Sequence, residues 1–228
     1  MIRHLILSGG GNKCLVFIGA LKFLEEQGLL LSIEKFAGTS GGSIIILLVV
    51  LGYTIKDIID LYKQLDLYAL LNINSNNILN FFNNFGLDNG DKVIRMLKIV
   101  LRKKNFHDTI TFEELYAITN KHLLISGTCV EKERVEYFDH ILTPDMPVYL
   151  AVRISISIPF IFNRVIYKGF SYIDGGFLEY FPLHCFKDNE HTLALGIKNK
   201  SLNDTKPIQS IESYVYKLMC GLYRIHQD

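Results

Sequence analysis

The sequence predicts an α/β fold of three layers, α/β/α, around a mainly parallel central sheet, and three observations carry that expectation. Strand-length apolar runs alternate with segments of helical period along the chain. Two glycine-rich turns, Gly9–Asn12 and Gly38–Gly42, each join a strand to a helix, which places both at the carboxyl edge of a parallel sheet. The 228 residues are 49% hydrophobic, enough for a sizeable core, and no internal repeat divides them. Residues 1–228 are therefore expected to form a single domain.

The elements follow in order. A strand over Arg3–Ser8 leads through the Gly9–Asn12 loop into an amphipathic helix, Lys13–Gln27, stopped at Gly28. A short strand, Glu34–Ala37, turns into a helix over Ser43–Leu51 that is apolar all round, the pattern of a helix buried on every side. The uncharged run from Phe36 to Ile55 is no membrane span, because its apolar part, Ile44–Leu51, falls well short of the ~20 residues required.

Residues 54–121 read as a largely helical insertion or lid. It comprises a helix over Thr54–Leu71, an Asn-rich link at Asn72–Asn77 and a basic helix over Lys92–Lys104, with Phe81, Phe82 and Phe85 read as core. Thr111 with Glu114 three places on forms a capping box, and "HLLISGTCV" returns to β character. A helix beginning at Pro147 must stop before Pro159, "HTLALGIKN" is a late strand, and Ile208–Ile225 reads as a closing amphipathic helix.

Composition removes several functions. With 24 Lys and Arg against 23 Asp and Glu, the net charge is +1 and no basic track runs along the chain, so nucleic acid is not an expected partner. The cysteines, Cys14, Cys129, Cys185 and Cys220, show no metal-ligand spacing and suit free thiols in a reducing compartment, so no metal or cofactor is expected. "MIRHLILSGGG" ends its short apolar run in glycines and reads as a strand rather than a secretory signal. The expected location is the cytoplasm, peripheral to membranes, without a transmembrane span.

Three loops carry chemistry. Gly38-Thr39-Ser40-Gly41-Gly42 fits G-x-S-x-G, in which Gly38 and Gly42 flank the serine because a Cβ at either would clash in so tight a turn. With a strand before it and an apolar helix after it, Ser40 sits where a nucleophile would be presented; taken alone, the pentapeptide reads more readily as an ordinary βα turn. Gly9-Gly10-Gly11-Asn12-Lys13 offers backbone N–H groups to an anion, with Lys13 adding charge at the mouth or simply facing solvent. It lacks the third glycine of a dinucleotide fingerprint and the GK[ST] ending of a Walker loop. In "YIDGGF", Asp174 precedes Gly175 and Gly176, either as a plain turn or as a carboxylate within reach of Ser40.

Taken together and in this order, the three loops resemble the patatin-like phospholipase family from Ile6 to about Pro182. The stretch Ser155-Ile156-Ser157-Ile158-Pro159 is similar to that family's S-x-[AS]-x-P segment, and "TFEEL" is similar to its helix start. The resemblance implies Ser40 as nucleophile, Asp174 as its partner in a Ser-Asp dyad, and the Gly9, Gly10 and Gly11 loop as oxyanion hole, with Gly10 and Gly11 tolerating no side chain. It implies a lipid ester as substrate, cleaved without metal or cofactor during transient contact with a membrane surface. Cys14 and Tyr180 stand where the family commonly has a glycine and an asparagine. His184 and His191 follow Asp174 as in a catalytic triad, but each reads as a packed residue. Two other readings stay open from the sequence: a nucleotide-binding module using Gly9–Lys13, and an inactive lipid-binding relative.

Overall fold

The computed structural model describes residues 2–64, 81, 83–187, 190–198, 207–209, 214 and 217–218. The Asn-rich link, the end of the helix expected over Thr54–Leu71, Phe82 and almost all of Ile208–Ile225 lie outside them.

The fold is mixed α/β about a central, mainly parallel sheet. The strands are β1 (His4–Leu7), β2 (Lys35–Gly38), β4 (His122–Cys129), β5 (Arg134–Phe138), β7 (Val165–Tyr167), β8 (Phe170–Asp174) and β9 (Thr192–Leu195). Their order is β7-β8-β4-β2-β1-β9, with β5 also on β4. The β4-β2-β1-β9 portion is parallel, whereas β5, β8 and β7 extend it with antiparallel pairs. A separate two-stranded parallel sheet joins β3 (Gly86–Asp88) to β6 (Phe160–Phe162).

The helices with bounds among the described residues are α1 (Phe17–Glu26), α2 (Gly41–Val50), α3 (Ile55–Gln64), α4 (Asp91–Lys103), α5 (Phe112–Thr119) and α6 (Val148–Ser155). The predicted first helix begins instead as a 3₁₀ turn over Gly11–Val16, and α1 proper starts at Phe17. The glycines leave Gly10 at φ +153° and Gly11 at φ +52°, and the chain needs the tighter turn to recover from them. α2 is buried all round, from Ile45 to Val50, as its uniform apolar sequence requires. Thr111 and Glu114 form the capping box of α5, each accepting the other's backbone N–H.

Alternation along the strands splits the core. Leu5, Leu7, Phe36, Leu123 and Ile125 face the large cluster that includes α1, α2 and α6. Ile6, Ala37 and Leu124 face the other way, against Phe181, Cys185 and Phe186. Phe85, read from the sequence as core, is 52% exposed at φ +58° with the Arg164 guanidinium over its ring, because it ends a helical turn rather than facing inward.

The register of β4 positions the site. At Ile125, β4 pairs with Gly38 of β2 and Phe138 of β5, so those strands hold its opposite edges. At Gly127 it pairs with Asp174 of β8 and Glu136 of β5, so β8 occupies the edge that β2 held two residues earlier. β2 runs parallel to β4 and β8 antiparallel, hence their carboxyl ends point at each other along one edge. Two residues of strand, roughly 7 Å, separate the two ends. Thr39 and Ser40 turn within that interval.

Candidate active site

Ser40 follows β2 at φ 51° and ψ −127°, outside the regions a side-chain-bearing residue ordinarily occupies, and so holds backbone strain at the mouth of α2. The flanking glycines allow it. A Cβ on Gly38 would lie 2.8 Å from Ser43 Cα, and one on Gly42 would run into the Ser8 carbonyl oxygen. Gly42 N–H and Ser43 N–H then donate to the Thr39 and Ser40 carbonyls, which starts α2 directly beneath the serine.

The head-on strands bring Ser40 and Asp174 together. Ser40 Oγ donates to Asp174 Oδ2 at 2.7 Å, and the second carboxylate oxygen accepts Gly176 N–H at 2.7 Å. Both residues are enclosed, Ser40 at 7% exposure and Asp174 at 1%. Burial pushes the Asp174 carboxyl up to about 7, against the pull of the Ser40 and Gly176 hydrogen bonds. An aspartate so placed is a proton acceptor near neutrality. Gly175 lets the chain turn against Ser126, whose Oγ a Cβ would strike, and Ser126 Oγ in turn shares a 2.7 Å hydrogen bond with Thr39.

The end of α6 supports both members of the pair. Ser155 Oγ accepts the Ser40 N–H at 2.9 Å, and the Ser157 carbonyl accepts the Asp174 N–H at 2.9 Å. Arg153, 1% exposed, donates to Ser157 Oγ and to the carbonyls of Asn89 (3.2 Å) and Asn163 (3.3 Å). Burial lowers its guanidinium to about 10, partly offset by Asp88 and Asp91. The sequence marked Ser155 and Ser157 only as part of a motif and passed over Arg153; the signal available was an arginine set in an otherwise apolar helix face.

The glycine loop is divided. Gly9 N–H donates to the Tyr180 carbonyl at 2.8 Å, so it is already committed, while neither the Gly10 nor the Gly11 N–H is taken up by another described residue. Tyr180 also lays its ring against Gly9 and donates its hydroxyl to the Ile197 carbonyl at 3.1 Å, pinning the loop from outside. A Cβ on Gly10 would come within 2.6 Å of Ile197 Cδ1. One on Gly11 would meet nothing within 4 Å, and both glycines hold positive φ, +153° and +52°, that side-chain-bearing residues rarely adopt. Lys13 is exposed on the 3₁₀ turn. Cys14 is buried beside this loop, its thiol pushed up to about 12 by burial and by Asp174, so it packs as a neutral group.

The histidines stand elsewhere. His191 precedes β9 at the amino edge of the sheet, where its carbonyl accepts from Arg3 and His4, and His184 is exposed beyond Pro182. Among the described residues, neither Ser40 nor Asp174 is hydrogen-bonded to a histidine, and no group of three His, Cys, Asp or Glu side chains is set to hold a metal.

Comparison with known proteins gives this geometry a lineage. The family model for patatin-like phospholipases matches residues 5–186. The chain belongs to the patatin-like phospholipase family. The protein R571 of Acanthamoeba polyphaga mimivirus is 30% identical over 225 residues, covering 95% of this chain and 74% of its own. The probable lipid hydrolase 463L of Invertebrate iridescent virus 6 is 32% identical over 181 residues, 79% of this chain and 62% of its own. Among solved structures, VipD from Legionella pneumophila superposes with TM-score 0.65 at 20% identity over 86% of the chain. ExoU, a type III effector, gives 0.54 at 19% over 98%. The chain spans about half the length of these two, 49% and 51%, and at such identity they speak for the fold alone.

Proposed function

We propose that this patatin-like protein is a serine-dependent acyl hydrolase of lipid esters, of the phospholipase A or lysophospholipase type. The observation that carries the reading is the 2.7 Å Ser40–Asp174 hydrogen bond at a strained turn over a helix N-terminus. Membership of a phospholipase family and the viral relative named a probable lipid hydrolase support the substrate class.

In this reading, ionised Asp174 takes the Ser40 hydroxyl proton as Oγ attacks the ester carbonyl carbon. The carbonyl π pair moves to oxygen, and the Gly10 and Gly11 N–H groups donate to that oxyanion, helped by the positive end of α2. Collapse breaks the bond to the alcohol, which leaves with the proton from Asp174. Water then gives a proton to Asp174, its oxygen attacks the Ser40 acyl carbon, and Ser40 Oγ leaves and recovers that proton as the free acid departs. Ser155 and Arg153 act by position, holding the backbones of Ser40 and of the segment that carries Asp174. In this reading exposed Lys13 meets an anionic part of the substrate.

The test pairs a fluorophosphonate probe with product analysis on a panel of phospholipids, lysophospholipids and neutral lipids. The native protein is expected to be labelled and to release fatty acid, and Ser40→Ala to do neither while remaining folded. Labelling without turnover would instead mark an idle lipid binder, and turnover by Ser40→Ala would remove the nucleophile assignment.

A further inference from the structure

Helix α4 presents a cationic face that the chemistry of Ser40 and Asp174 does not use. Residues 91–104 hold six cations, Lys92, Arg95, Lys98, Arg102, Lys103 and Lys104, and one acid, Asp91, whereas the rest of the chain holds 18 Lys and Arg against 22 Asp and Glu. Nearly neutral as a whole, the protein thus concentrates positive charge on one helix. A step of ~100° per residue separates the helix into two arcs. Val93, Leu97, Val100 and Leu101 are buried in the core. Lys92, Arg95, Ile99, Arg102 and Lys103 share the outer arc with the acid Asp91, Lys98 standing at its margin, so Ile99, 46% exposed, sits mainly among cations.

Three of these cations, Arg95, Lys98 and Lys103, keep their charge without an acidic partner among the described residues. Lys104 is turned aside to the Gly52 carbonyl and Asp57, and Arg102 pairs with Asp108. Lys98 lies over the Tyr149 ring, which leaves its charge intact, and Arg95 and Lys103 have no acidic partner among the described residues. The cations from Lys92 to Lys103 extend over roughly 17 Å of helix. They form a surface rather than a pocket, which fits an extended array of negative charge better than a single small anion.

We propose that the outer face of α4 docks the protein on an anionic phospholipid surface, with the cations meeting headgroup phosphates and Ile99 entering the interface. An exposed branched aliphatic residue amid cations suits a lipid interface, where apolar insertion and electrostatic attraction add, and would meet only water beside a nucleic-acid backbone. α4 is also linked to the catalytic pair through Arg153. Its first turn begins at Gly90, where a Cβ would collide with the Arg153 guanidinium that supports the Ser157 segment under Asp174. The choice of a lipid surface rests on the proposed lipid hydrolase activity; the helix face itself does not.

The experiment measures sedimentation of the full chain with vesicles of phosphatidylcholine alone and of phosphatidylcholine with one-third phosphatidylglycerol. The native protein is expected to prefer the anionic vesicles and to detach as salt rises. Arg95→Gln, Lys98→Gln and Lys103→Gln combined should lower partitioning by roughly 100-fold, on the order of fivefold per cation, with hydrolysis of a water-soluble short-chain ester unchanged. Equal binding to the two vesicle types, a triple variant that binds like the native protein, or retention on RNA in place of vesicles would overturn the proposal. Anionic-vesicle binding that the triple variant loses, in a protein that hydrolyses no ester, would sink the proposed activity and leave the docking face standing.

Discussion

Replacing Asp174 by Asn should make the protein inactive and, above neutrality, more stable. The carboxyl is pushed from 3.8 to about 7 by burial, so the folded state keeps a proton that the unfolded chain loses on the way from pH 4 to pH 7. The cost of ionising the buried group is therefore absent below pH 4, grows through that window and is complete above pH 7. At 1.36 kcal/mol per pH unit it amounts to about 4 kcal/mol. Asparagine stays neutral throughout. Its oxygen can still accept Gly176 N–H and its amide can face Ser40 Oγ, so the shape and both contacts survive with the Ser40 bond reversed. Denaturant titrations of both proteins at pH 4 and pH 8 should show the variant gaining about 4 kcal/mol relative to the native protein across that range, or on the order of 10 °C in Tm for a chain of this size. Activity must move the other way, since an amide takes no proton: native kcat/KM should rise with an acid limb near 7, and the variant should have none. A stability difference that does not change with pH would mean that Asp174 is not held at raised pKa. Native-like turnover by the variant would mean that it is not the base.

Three further outcomes follow from the same geometry. Ser155→Ala strips the acceptor from the buried Ser40 N–H, an omission worth about 1–3 kcal/mol, and should lower kcat with KM little changed while Ser155→Thr restores it; a loss confined to Tm would reduce Ser155 to a packing residue. Gly10→Ala should lose roughly 10²–10³ in kcat if the backbone leaves its φ of +153° and the amide is re-aimed, whereas Gly11→Ala pays about 1–2 kcal/mol for its left-handed conformation and stays folded and measurably active; equal loss in both would relocate the oxyanion donors. His184→Ala should retain most activity, and a folded but dead variant would require a three-residue relay in place of the pair. The pH profile does not decide that last question. An aspartate in water would titrate well below a histidine, but burial brings Asp174 to the same range.

Where the physics is local, the residues alone were enough. The G-x-S-x-G turn sits between a strand and an apolar helix, and its bend leaves no room for a Cβ at Gly38 or Gly42; the α5 cap and the burial of α2 are likewise written in spacing and composition. Identifying the three loops as members of one family went further than any of them singly. Other properties depend on pairing between distant segments. Only the tertiary structure revealed that β8 takes over the edge of β4 where β2 leaves it, so that residues 134 positions apart meet end to end at hydrogen-bond distance. Nothing in "YIDGGF" records that register, because it is set by β4 and by the antiparallel return of β7 and β8. The commitment of Gly9 N–H to Tyr180, the open space at Gly11 and the Arg153–Ser157 support have the same origin. Burial is collective as well. The rise of Asp174 to about 7 comes from the desolvation that every surrounding element contributes, and no residue type carries that in itself.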